Sequence, residues 1–105
     1  MLEIIIAVPA GARLAGMEHD IESACRAEGL RQTLKGTLAQ YPGCVHWHVK
    51  QGRERGTLEI TFWPAERRLW FKVAEGRRGE WMEFVSFVVK AFTLTGINHH
   101  VQYYL

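Results

Sequence analysis

Apolar and polar positions along the chain follow two periods in turn, one helical and one of strict alternation. Leu2 to Val8 is apolar apart from Glu3, a run short enough for a strand buried on both faces, and Pro9 ends it. From Met17 to Tyr41 the spacing becomes helical: Met17, Ile21 and Ala24 form one stripe, and Leu30, Leu34 and Leu38 form a second. At about 100° per residue, Ile21 and Leu30 point to opposite sides of an ideal helix, so Gly29 marks a break or bend within the segment. Tyr41-Pro42-Gly43 stops the helical pattern, because proline disfavours helix in the residue before it and glycine reverses the chain easily.

Beyond that turn the period becomes two. Val45, Trp47 and Val49 alternate with Cys44, His46, His48 and Lys50; Leu58, Ile60 and Phe62 alternate with Thr57, Glu59, Thr61 and Trp63; Leu69, Phe71 and Val73 alternate with Arg68, Trp70 and Lys72. Separated by Gly52-Arg53-Glu54-Arg55-Gly56 and by Pro64-Ala65-Glu66-Arg67, the three runs predict an antiparallel meander with one apolar and one mixed face. After Gly76 and Gly79, residues 80–92 are apolar nearly all round, which predicts a helix buried on more than one side. Val101 to Leu105 alternates again and predicts a short C-terminal strand.

The expected fold is therefore an α+β sandwich of order β-α-β-β-β-α, helices on one face of the sheet, with that short strand at the end. Its α-β-β-β-α portion resembles, in order of elements alone, the double-stranded-RNA-binding domains and small toxins of that fold. At 105 residues the chain suffices for one domain, residues 1–105, with a single modest core.

No apolar run approaches the ~20 residues needed to span a bilayer as a helix, which removes a membrane partner of that kind. The opening residues carry Glu3 and no basic group, so they read as a strand rather than a secretory signal, and a cytoplasmic setting is expected. Cys25 and Cys44 have no metal-type spacing and are expected to be small buried hydrophobes in a reducing compartment.

Charge is unevenly distributed. Residues 50–78 hold eight basic and four acidic groups, and the remainder five and seven, a bias that bears on partners rather than on fold. Matching apolar faces across the meander pairs Leu58 with Val73, Ile60 with Phe71, Phe62 with Leu69, Val49 with Leu58 and Trp47 with Ile60. On the mixed face this gives three rows: His48, Glu59, Lys72; His46, Thr61, Trp70; and Cys44, Trp63, Arg68. Opposite charges then meet, and a cation lies beside an indole.

His46, His48, Trp63 and Trp70 thus form either a platform on which bases stack or a surface covered by a second subunit. Arg53, Arg55, Arg77 and Arg78 are expected at one end of the sheet, around the start of the last helix, as contacts for nucleic acid or another anion, with Lys72 on the sheet itself. Glu54, Glu75 and Glu80 make a solvated, neutralised rim the competing reading of that end. His46-x-His48, with His99-His100 near the end of the chain, makes a divalent metal geometrically conceivable, but the required third ligand is not evident, so neither a metal nor another cofactor is expected. Cys44 and His46, two apart on a strand, lie about 7 Å apart, too far for direct proton transfer. The sequence therefore describes a small binding or assembly module, self-associating as a homodimer, with an anionic partner. A small RNA-directed hydrolase using the His46 and His48 face is the alternative, since imidazole shuttles protons near neutral pH.

Overall fold

The computed structural model describes residues 2–8, 13–51, 57–73 and 100–104. Strand β1 (Leu2–Ala7) is followed by helix α1 (Met17–Ala27) and then by strands β2 (Leu30–Gly36), β3 (Val45–Gln51), β4 (Leu58–Trp63), β5 (Arg68–Val73) and β6 (His100–Tyr104). All pair antiparallel, in the order β2-β3-β4-β5-β1-β6. The architecture is a mixed α+β fold in which four consecutive strands, β2 to β5, make a meander.

Helix α1 starts where Gly16, at φ +87°, turns the chain and its carbonyl accepts from Asp20 N–H. Glu18 and Asp20 lie in the first turn and Arg26 in the last, each favourable to the helix dipole. Met17, Ile21, Ala24 and Cys25 are buried along one stripe. Met17, Ile21 and Cys25 pack with Trp47, Val49, Leu58, Ile60 and Phe71 from the apolar sheet face into one core. Full burial of an aliphatic or aromatic side chain of this size contributes roughly 1.5–3 kcal/mol, so the alternating positions dictate which face turns inward. The register from β3 to β5 is the one that alternation predicts, including Trp47 with Ile60, Ile60 with Phe71, and Glu59 with Lys72. A 3-10 turn at Pro64–Glu66 joins β4 to β5, with Arg67 N–H donating to the Pro64 carbonyl.

The expectation of a helical stripe at Leu30, Leu34 and Leu38 is corrected. Helix α1 ends at Ala27, Gly29 takes φ +72°, and residues 30–36 form β2 against β3. A spacing of four fits a strand as well as a helix, and the register shift between Gln32 and Leu34 sends the two leucines opposite ways. Leu30 enters the core beside the Gln51 pair, whereas Leu34 stands opposite His48 on the polar face, 45% exposed. The meander therefore has four strands rather than three, and this extra strand distinguishes the order of elements from that of the double-stranded-RNA-binding domains. The expected helix over residues 80–92 lies outside the described residues, as do the loop 52–56 and the arginines Arg53, Arg55, Arg77 and Arg78.

Candidate functional site

The polar face of β3 and β4 concentrates chemistry at one place. Strand pleating puts His46 and His48 on the same side of β3, and the register sets them opposite Thr61 and Glu59. His46 is buried, with Nδ1 2.8 Å from the Thr61 hydroxyl oxygen, itself buried. A buried hydroxyl and a buried imidazole thus satisfy each other. His48 Nε2 lies 3.0 Å from His46 Nε2, so one ring's N–H donates to the other's lone pair. Glu59 Oε1 stands 3.5 Å from both Nε2 atoms. His46, His48 and Glu59 are the three side chains among the described residues that converge as metal-type donors.

Their environments differ in a useful way. The His46 side chain is 8% exposed, against 33% for His48 and 27% for Glu59, so the cluster has a closed floor and an open side. Burial, and then the neighbouring His48, hold His46 below the usual imidazole range, with the Glu59 carboxylate opposing. Neutral imidazole is the form that can offer an unprotonated ring nitrogen to a proton or a cation.

Around this centre the expected site residues are partly brought together. Lys72 is half-buried on β5 and pairs in register with Glu59, which places it in the same cross-strand row as His48. Trp70 is buried, with Tyr41 packed edge-on against it at 4.9 Å between ring centroids. Trp63 lies tilted against Tyr41 at 5.1 Å and donates its indole N–H to the Pro42 carbonyl. The turn at 41–43, where Gly43 has φ +83°, thus folds over the tryptophan end of the face, and the two rings are engaged within the chain. Cys44 is also occupied: its Sγ accepts from Leu38 N–H at 3.3 Å. On the opposite face of the sheet, burial pushes the Cys25 thiol up to about 11, a protonated and unreactive state near neutral pH.

Glu59 and Thr61 are the members of the cluster that reading the sequence did not assign. The signal was present, since alternation already placed Glu59 in the row with His48 and Thr61 in the row with His46. Glu59 was matched there to Lys72 alone. Comparison with known protein families, with curated proteins and with solved structures finds no match to this chain.

Proposed function

We propose that the protein is a small binding module whose working surface is the polar face of β3, β4 and β5, and that its ligand is anionic, with phosphate-bearing nucleic acid the class favoured. One observation carries the reading: His46, His48 and Glu59 converge on a half-open centre, with Lys72 in the same row. Lys50, two residues after His48 on β3, and Arg68 on β5 belong to the same sheet face by alternation and register. A polar cluster with a buried floor and cationic neighbours suits a ligand that brings negative charge. Tyr41 engages Trp63 and Trp70, which moves the proposed contact surface away from base stacking and toward phosphate. Arg53, Arg55, Arg77 and Arg78 complete the proposal as outlying contacts. Self-association as a homodimer belongs to the proposal on the apolar sequence of residues 80–92, which lie outside the described residues. A cytoplasmic setting is part of the proposal.

Anisotropy of a labelled single-stranded RNA, titrated at several salt concentrations, tests the proposal. Affinity is expected to fall steeply with salt, and Lys72→Ala to reduce the logarithmic slope by about one. Absence of binding at low salt would sink it. In sedimentation at tens of micromolar the expected species is a dimer of the 12.1 kDa chain; a monomer alone removes the assembly half. A second reading, cleavage of RNA with His48 as proton shuttle, draws support from the 3.0 Å contact between the two rings. It requires that His48→Ala abolish turnover while leaving RNA binding in place.

A further inference from the structure

We propose that His46, His48 and Glu59 bind a divalent first-row transition metal, zinc or iron(II), as a three-ligand site with open positions toward solvent. The proposal takes up the same polar face as the functional reading and names what stands at its centre.

Geometry is the first argument. The donor atoms form a triangle with sides of 3.0, 3.5 and 3.5 Å, and the point equidistant from its corners lies about 1.9 Å from each. Zinc bonds to imidazole nitrogen and carboxylate oxygen at about 2.0–2.2 Å. An ion set roughly 1 Å or less above the plane of the triangle therefore reaches all three donors without moving them.

The donor set is the second argument. Two imidazoles and one carboxylate suit zinc or iron(II), whereas calcium and magnesium prefer oxygen alone. Two histidines and a glutamate also leave coordination positions for water or for an outside ligand. The exposed sides of His48 and Glu59 are where such a ligand would arrive, and a phosphate oxygen is a suitable one.

The surrounding structure supports the site. Nδ1 of His46 is engaged by the Thr61 hydroxyl, which leaves Nε2 as the ligating atom, the outer contact that fixes tautomer and ring orientation in metal sites. All three donors stand on paired strands rather than on loops, so the backbone ladder holds their spacing. Without an ion the two Nε2 atoms share a proton. A bound ion takes its place, and the proton moves to Nδ1 of whichever ring carried it, so both rings stay neutral and each turns Nε2 to the ion.

The test is calorimetric titration of zinc into the chelator-stripped full chain, with cobalt(II) absorption as an independent report of nitrogen and oxygen ligation. One ion per chain is expected. His48→Ala and Glu59→Gln, both at half-exposed positions, are each expected to weaken binding at least tenfold. Thr61→Val is expected to cost 10–100-fold through the lost outer contact, with unchanged circular dichroism showing that each variant folds. No saturable uptake of either metal overturns the proposal. So does uptake that His48→Ala and Glu59→Gln both retain, or that disappears on replacing His99 and His100 instead. Because these titrations contain no nucleic acid, failure of RNA binding leaves the metal site standing, and failure of metal uptake leaves the anion reading to its own test.

Discussion

Glu22 joins the helix to the sheet at the level of single atoms. Its carboxylate accepts from the Trp47 indole N–H at 3.0 Å and pairs with Lys35 Nζ at 3.0 Å. The Trp47 hydrogen bond, followed by that from Lys35, lowers its pKa below the ordinary 4.5, with burial opposing. A carboxylate whose folded pKa is depressed adds stability that is present above the unfolded pKa and is lost as pH falls through the folded one. Urea unfolding of Glu22→Gln is therefore expected to show a smaller loss of stability below about pH 4.5 than the parent shows. Parallel acid losses in the two proteins would disprove the assignment. The counterpart is Lys35, whose pKa is raised chiefly by its bond to Glu22. Its contribution is complete below its unfolded pKa and is lost only as alkaline pH rises through the folded one.

Among elements, β2 shows most clearly how local pattern and pairing divide the work. Gly29 at φ +72° ends α1 and admits the strand, and a Cβ built there meets nothing within 4 Å. The cost of Gly29→Ala is thus backbone strain rather than a clash, about 1–2 kcal/mol for an L-residue held in the left-handed region. Gly36 likewise has open space but no positive φ, so Gly36→Ala is expected to stay within about 0.5 kcal/mol. Equal losses in the two variants, measured by urea unfolding, would refute the argument. β2 is also an edge of the sheet, and it carries Arg31 and Lys35 together with a register shift, devices that discourage another strand from adding there. Nothing in the isolated sequence 30–36 signals this, because its leucines are spaced by four and its other residues suit a helix as well as a strand.

At the scale of the whole molecule, the core is continuous from α1 across β3, β4 and β5. Phe71, 1% exposed, sits among the largest fully buried side chains. Phe71→Ala is expected to cost about 3–5 kcal/mol, a large part of the roughly 5–15 kcal/mol typical of a domain. A loss under about 1 kcal/mol, within the range of a surface substitution, would show that this position does not lie in the core.

The sequence by itself determined the faces. Strict alternation over residues 44–50, 57–63 and 68–73 set the register of three strands, since a slip of one residue would turn Leu58, Ile60 and Phe71 to water. The same alternation placed His46, His48, Glu59 and Thr61 on one surface. Tertiary structure decided what those residues do to one another. Whether Glu59 turns toward Lys72 or toward the histidines depends on side-chain rotamers and on the burial of His46, which no spacing encodes. Pairing with β3 likewise made a strand of residues 30–36, and the fold of the 41–43 turn brought Tyr41 onto Trp63 and Trp70. Periodicity reports which side of an element meets the core, whereas contacts between polar groups on the other side arise only once separate strands are held 4.7–4.9 Å apart.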